Sequence, residues 1–234
     1  MSQNTTHAVM SQRVEAQDSL DDFPTPPWAS RALIEHIIGI DDLQSQSAME
    51  PACGSGYMSS VLSEYFGKVY ASDIHPYGFG DVKDFLKDKF APKSVDWVIT
   101  NPPFKNAEEF VVRGLDIARV GVAVLVRTVF IESVGRYNRL FRERPCDVFA
   151  QFVERVPIVK GRVDPRATTA TGYAWLLWNA DPAGCPRLAW IPPSRKDLER
   201  INDYVLPNMR LQQAPIISPQ HCMSFEGEGS RRAA

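Results

Sequence analysis

Four consecutive residues, Asn101-Pro102-Pro103-Phe104, carry the most specific chemistry in the sequence. Each proline fixes its own φ and disfavours the helical region for the residue before it, so the main chain is stiff here. The side-chain carbonyl of Asn101 and the main-chain carbonyl of Pro102 can point to one place, with the Phe104 ring beside it. Two fixed acceptors next to a flat ring suit a planar ligand that carries an NH₂ group. The alternative is a rigid loop with an exposed phenylalanine.

Small and acidic residues earlier in the chain suit a nucleoside. Gly54 and Gly56 follow a predicted strand and precede a predicted helix, a turn that lets a ligand approach the backbone and the free N–H groups of the helix. Asp73 ends the next predicted strand, where an acid can accept from both ribose hydroxyls. Asp84 can accept from an adenine amino group while Phe85 packs on the purine. The alternatives are a tight turn, an aspartate that caps the next turn, and a helix cap beside a core phenylalanine.

The elements that must position these residues alternate between strand and helix, which indicates a parallel sheet covered on both faces. The segments "SAME", "KVYASDI", "DWVIT" and "VGVAVLVRTVF" are predicted strands, and "DVFAQFVERV" and "TGYAWLLWN" are predicted late strands. The tetrad then lies at the carboxyl end of a central strand, where open α/β sheets bind ligands. Ser59 stands where the dinucleotide-binding fingerprint expects a third small glycine or alanine, which disfavours NAD.

Composition narrows the class of protein further. The chain has 234 residues and a formal charge of −2, so one α/β domain with small appendages is expected. Its four cysteines are far apart, without a CxxC pair, and we expect no metal site. We find no signal-peptide pattern and no apolar run near the ~20 residues that cross a bilayer. We therefore expect a soluble cytoplasmic protein that does not bind membranes.

The motifs resemble those of a known family. In order and spacing, "EPACGSG", "SDI", "DFL" and "NPPF" resemble motifs I to IV of class I S-adenosylmethionine-dependent methyltransferases, more narrowly those that methylate N6 of adenine in DNA. "FPTPPW" resembles their motif X, which precedes the glycine turn in one permutation class. The resemblance implies a Rossmann-like α/β fold: a mostly parallel seven-stranded sheet with an antiparallel late strand and helices on both faces. Related tetrads occur in RNA adenine and protein glutamine methyltransferases, which stay as alternatives, as does a non-catalytic nucleotide-binding homologue.

The same resemblance assigns roles to residues and implies S-adenosyl-L-methionine as the cofactor. The residues it assigns to the cofactor are Phe23, Thr25, Glu50, Ala52, Gly54, Gly56, Asp73, Ile74, Asp84 and Phe85. The residues it assigns to the target base and to catalysis are Asn101, Pro102, Pro103 and Phe104. Motif I more often has a bulky apolar residue where Cys53 stands, which changes the shape of the pocket but removes no charged contact.

A basic middle segment is the predicted contact with DNA, or with RNA in the second interpretation. Residues 113–166 carry 11 Lys and Arg against 6 Asp and Glu, on an otherwise acidic chain. A base inside a duplex must be flipped out to reach the tetrad, which requires phosphate contacts nearby. The predicted contacts are Arg136, Arg139, Arg142 and Arg144 on a helix, and Lys160, Arg162 and Arg166 in a loop. The alternatives are a solvated helix face and a mobile surface loop.

The predicted domain organisation is simple. We expect a flexible N-terminal segment over residues 1–20, a single methyltransferase domain over 21–206 and a C-terminal tail over 207–234. Within the domain, residues 130–172 are expected to carry the basic substrate-binding helix and loop.

Overall fold

The computed structural model describes residues 21–182 and 184–208. The predicted segments 1–20 and 207–234 lie outside the described residues, apart from 207 and 208. The strands are β1 (Ser47–Glu50), β2 (Lys68–Asp73), β3 (Asp81–Val82), β4 (Val95–Thr100), β5 (Ala118–Arg127), β6 (Val148–Phe152), β7 (Tyr173–Asn179) and β8 (Arg187–Ile191). The helices are α1 (Pro27–Leu33), α2 (Tyr57–Tyr65), α3 (Ala107–Ile117), α4 (Val134–Arg136) and α5 (Arg195–Leu198).

All eight strands form one sheet in the order β3-β2-β1-β4-β5-β7-β6-β8. Strand β7 runs antiparallel to both β5 and β6, and the other pairs are parallel. The expected α/β class and the antiparallel late strand are confirmed. The expected count of seven strands is wrong, because β8 pairs with the outer side of β6 and buries Ile191.

Helices cover both faces because side chains alternate along each central strand. Trp97 and Trp175 point into one hydrophobic cluster, together with Trp28 of α1 and residues of α2. Val98 and Leu176, the next residues along the same strands, point into a second cluster with residues of α3. The fully buried central strands thus separate two apolar layers.

Helix α1 begins at Pro27 and continues through a π-helical turn over Ile34–Ile38. Its Arg31 is 1% exposed and pairs with Glu64 of α2 and with Asp203. The N–O distances of these two ion pairs are 2.8 and 2.7 Å. Because a buried charge must be paired, these contacts fix where α1 sits on the sheet. They thereby also fix the segment just before α1, which reaches the site.

The longest uninterrupted α-helix among the described residues is α3, with 11 residues. Over residues 21–182 and 184–208, no helix combines the length and the apolar character that crossing a bilayer requires.

Candidate active site

A cavity of about 420 Å³ opens at the carboxyl ends of β1, β2 and β4. This edge of an open parallel sheet is where α/β proteins bind ligands, and the volume suits a nucleoside-sized molecule. The predicted residues that line it are Phe23, Thr25, Glu50, Ala52, Gly54, Asp73, Ile74, Asp84, Phe85, Asn101, Pro102, Pro103 and Phe104. The structure therefore brings together every predicted cofactor and base residue except Gly56.

Asn101 follows directly on the last residue of β4, and its side chain is half-buried at the cavity. Its Nδ2 donates a hydrogen bond of 2.8 Å to the main-chain oxygen of Phe23. Because the amide nitrogen is used in this bond, Oδ1 is the atom of Asn101 that remains for a donor on a ligand. The orientation fits the predicted acceptor role.

Phe104 stands at the end of the tetrad, and its ring is half-buried against the cavity. Its main-chain N–H donates to a carboxylate oxygen of Asp21 at 2.8 Å. The ring centroid lies 5.5 Å from that of Phe23, with the planes tilted by 45°. The guanidinium carbon of Arg127 lies 4.3 Å from the Phe104 centroid. The tetrad is thus held by Asp21 and Phe23, which precede it in the chain, and by Arg127, which follows it.

Asp73 holds the glycine turn against the end of β2. Its Oδ2 accepts from the main-chain N–H of Gly54 at 2.9 Å, and its Oδ1 accepts from that of His75 at 3.0 Å. Each carboxylate oxygen has two lone-pair sites, so each keeps one for a ligand hydroxyl. Because Asp73 is 8% exposed and lines the cavity, it can accept from two neighbouring hydroxyl groups while it holds the turn.

Gly56 lies at the start of α2 and does not line the cavity. Its φ is +84°, in the left-handed region, and a Cβ there would come within 2.3 to 2.5 Å of ring carbons of Phe79. The turn therefore needs glycine for conformation and for close packing. For Gly56 the tight-turn interpretation describes the local structure.

Asp84 caps a turn and Phe85 packs in the core, as the alternative interpretation of the sequence expected. The Asp84 carboxylate accepts from the main-chain N–H of Leu86 at 3.0 Å and pairs with Lys87 at 2.9 Å, which lowers the pKa of Asp84. Phe85 is 2% exposed and packs on Phe110, with centroids 4.9 Å apart. Both residues still line the cavity, so the cap and the core ring also form part of its wall.

Two carboxyl groups in the cavity wall, Glu50 and Asp22, have raised pKa values. Glu50 is 3% exposed, and its burial raises its pKa well above the ordinary value, although Ser59 donates a hydrogen bond to it. Burial and the nearby Asp73 carboxylate also raise the pKa of Asp22. Carboxyl groups that are costly to ionise alone become easier to ionise when a cation binds beside them. The cavity is therefore complementary to a ligand that carries positive charge.

Two further groups bear on what the cavity can hold. The hydroxyl of Thr25 is buried, lines the cavity wall and has no hydrogen-bond partner among the described residues. Such a group costs free energy unless a ligand completes its hydrogen bond. Burial raises the pKa of the Cys53 thiol far above its ordinary value, so this cysteine stays protonated and is not a nucleophile.

The predicted basic residues divide into two groups. On the helix side, Arg139 pairs with Glu108 at 2.8 Å, Arg136 stacks on Phe130 at 3.9 Å, and Arg144 lies 3.8 Å from Asp116. Arg142 belongs to the same exposed turn. These partners orient the arginines toward α3 and the end of β5, so part of their charge is already balanced.

The basic loop is closer to the cavity. The main-chain N–H of Gly161 donates to the main-chain oxygen of Asp22 at 2.8 Å. The positive charge of Lys160 offsets part of the rise in the pKa of Asp22 that burial and Asp73 cause. Arg162 pairs with Asp164 at 3.2 Å, and Arg166 is exposed. The loop therefore lies beside the cavity, next to Asp22.

Sequence reasoning missed several residues at the site, chief among them Asp21, Asp22, Tyr57, Tyr77, Phe110 and Arg127. Asp21 and Asp22 directly precede the "FPTPPW" segment, and that proximity was an available signal. Arg127 had no such signal, because it reaches Phe104 only through the pairing of β4 with β5.

Comparisons with known proteins give similarities of fold and a short match in sequence. No protein-family model matches the chain. The chain is 26% identical to the type I restriction enzyme MjaIX methylase subunit of Methanocaldococcus jannaschii over 106 residues. That match covers 35% of this chain and 19% of the relative.

Two solved structures share the fold. A type I restriction-modification system methyltransferase subunit from Streptococcus thermophilus aligns with a TM-score of 0.53 at 12% identity. The alignment covers 82% of this chain and 52% of that one, so the chain spans about half of the subunit's length. A protein of Pyrococcus horikoshii described as an RNA methyltransferase aligns with a TM-score of 0.52 at 15% identity, covering 68% and 88% of the two chains. The chain therefore has the Rossmann-like fold of the class I methyltransferases.

Proposed function

We propose that this protein is an S-adenosylmethionine-dependent methyltransferase that methylates the N6 amino group of adenine in DNA. The observation that carries the proposal is the placement of Asn101 and Phe104 at one cavity with Asp73 and the glycine turn. The match with a restriction-enzyme methylase subunit supports DNA as the polymer.

The residues at the cavity fit the cofactor. Asp73 would accept from the two ribose hydroxyls, and the Phe85 ring would pack on the adenine. Glu50 and Asp22 would face the positive charges of the sulfonium and ammonium groups, and the unpaired Thr25 hydroxyl would gain a partner. When bound, the cofactor supplies a methyl group on an activated sulfonium, so the protein needs no nucleophile of its own.

The tetrad would prepare the amino group to accept the methyl group. An aryl amine is a weak nucleophile because its lone pair is delocalised into the ring. Asn101 Oδ1 and the main-chain oxygen of Pro102 would accept both N–H bonds, which raises electron density on nitrogen and favours pyramidal geometry. Phe104 would stack on the base and fix its plane. Positioning and electrostatics would then supply most of the rate of a direct in-line transfer, with the proton lost afterwards.

The substrate would be an adenine that has left the base stack. The basic loop with Lys160, Arg162 and Arg166 would contact phosphates near the cavity mouth, and Arg142 on the neighbouring turn would add to them. We propose residues 21–206 as the catalytic domain. The chain spans about half of the length of the Streptococcus subunit, and the loop offers few residues for base readout.

Methyl transfer from labelled cofactor to DNA, RNA and protein, measured in parallel, tests this function. We expect label on duplex DNA in N6-methyladenine, and we expect at least ~10²-fold slower transfer with the Asn101→Ala variant. Label on RNA or on a glutamine side chain would show that the substrate is one of the alternatives and not DNA. Cofactor affinity in calorimetry without transfer to any polymer would identify a binding module instead of an enzyme.

A further inference from the structure

Arg127 occupies an unusual place beside the tetrad. It is the last residue of β5, it is exposed, and its guanidinium carbon lies 4.3 Å from the centroid of the Phe104 ring. A guanidinium is planar and stacks on aromatic rings at about the distance at which a nucleobase does. Arg127 therefore holds Phe104 in the way that a base would.

Arg127 contacts the Phe104 ring but is not among the residues that line the cofactor cavity, whereas Phe104 is. Its neighbour in register on β7 is Tyr173, on the side of the sheet away from β1 and β2. A base that enters from solvent and offers its amino group to Asn101 would stack on the ring that Arg127 now contacts.

We propose that Arg127 is a stand-in for the target base, which covers the Phe104 ring until a flipped base displaces it. The proposal rests on the proposed function, because it assigns Phe104 to the target base. Once displaced, the exposed Arg127 side chain would turn toward solvent. There it would donate hydrogen bonds to a phosphate beside the flipped nucleotide.

The energies are compatible with such an exchange. A cation–π contact at an exposed site is weak, so its loss changes an equilibrium only about two- to fivefold. Stacking of a base on an aromatic side chain is stronger, and it comes with two hydrogen bonds at the tetrad. The base therefore displaces the guanidinium from Phe104. Without a base, the guanidinium covers the ring and shields it from solvent.

Two binding experiments with the Arg127→Ala and Arg127→Lys variants test the proposal. Binding of adenosine, a neutral probe, tests whether Arg127 competes with the base, and binding of DNA tests whether Arg127 contacts a phosphate. Adenosine is titrated by calorimetry in saturating S-adenosylhomocysteine, so that it reaches only the target slot. We expect both variants to bind adenosine about two- to fivefold more tightly than the original protein, because the competing guanidinium is gone. Arg187→Ala, which removes an exposed arginine at the far edge strand, should leave the affinity unchanged.

DNA binding is expected to change in a different way. Arg127→Ala should weaken duplex binding and reduce the salt slope of log K by about one, whereas Arg127→Lys should keep the slope because an ammonium still contacts phosphate. Adenosine affinity that is equal or lower in Arg127→Ala would show that Arg127 only supports the ring, and would overturn the proposal. Binding of S-adenosylhomocysteine without adenosine binding to any of the proteins would overturn it too. Failure to bind S-adenosylhomocysteine would instead refute the proposed function, and this inference with it.

Discussion

The side-chain nitrogen of Asn101 donates a 2.8 Å hydrogen bond to the main-chain oxygen of Phe23, a residue 78 positions earlier. This one bond joins the segment before α1 to the end of β4. It sets the orientation of the Asn101 amide, and it brings Phe23 to the wall shared by the cofactor cavity and the base slot. Loss of the amide would therefore affect both the acceptor for the base and the order of the cavity wall.

The Asn101→Ala substitution should lower methyl transfer by ~10²-fold or more, the usual cost of one lost polar contact in the transition state. Cofactor affinity should fall much less than methyl transfer, since Asp73 and the glycine turn remain although the contact with Phe23 is lost. Single-turnover transfer and calorimetry measure the two quantities separately. Turnover close to that of the original protein would refute the role of Asn101.

The Asp73→Ala substitution should weaken cofactor binding by about 10- to 100-fold, because hydrogen bonds to a charged acceptor are lost at once. It also frees the main-chain N–H groups of Gly54 and His75, which Asp73 now satisfies. Asp73→Asn is the matched variant, since it keeps the size and two lone pairs but can no longer accept at both atoms. Calorimetry that gives equal affinities for all three proteins would exclude Asp73 from the cofactor site.

Glu50→Gln should stabilise the cofactor-free protein increasingly as the pH rises. Burial raises the Glu50 pKa in the folded state above the ordinary value of 4.5. Such a group favours folding fully below the unfolded pKa, and this contribution is lost as the pH rises through the folded pKa. The two proteins should thus unfold at similar temperatures near pH 4, and the variant at higher temperature near pH 7. Thermal unfolding between pH 4 and 8 checks this, and the same variant should bind the cationic cofactor more weakly.

Gly56→Ala should destabilise the fold more than Gly161→Ala. Both glycines have positive φ, at +84° and +74°, so both substitutions strain the backbone by about 1 kcal/mol. Only at Gly56 would the added Cβ meet a ring, that of Phe79, whereas Gly161 has open space around it. Urea unfolding measures the difference, and equal losses would show that Phe79 moves away without cost.

Charge reversal of Lys160 and Arg162 should weaken DNA binding and flatten its dependence on salt. The same change at Arg139 should have a smaller effect on binding, because Glu108 holds its guanidinium with two hydrogen bonds of 2.8 Å, a closer pairing than the 3.2 Å contact of Arg162 with Asp164. Filter binding over a series of salt concentrations compares the two slopes. A larger effect at Arg139 would move the phosphate contacts from the loop to the helix.

The sequence by itself determined the local features of this protein. The strands around the site, the stiff tetrad and the glycine turn follow from side-chain period, proline and glycine, which act on neighbouring residues. Together with the resemblance to a known family, these features were sufficient to predict the α/β class and about half of the residues that line the cavity. Because such local patterns act only on neighbouring residues, they place Gly56 at the turn but do not show whether it lines the cavity.

The tertiary structure alone decided the contacts between distant segments. Examples are Arg139 with Glu108, Arg127 with Phe104 and the eighth strand beside β6. No local pattern encodes such pairs, because an arginine binds whichever carboxylate or ring the packing of helices and strands brings within reach. The net charge of residues 113–166 could be counted from the sequence. Which of their arginines face solvent and which pair with a carboxylate depends on the fold.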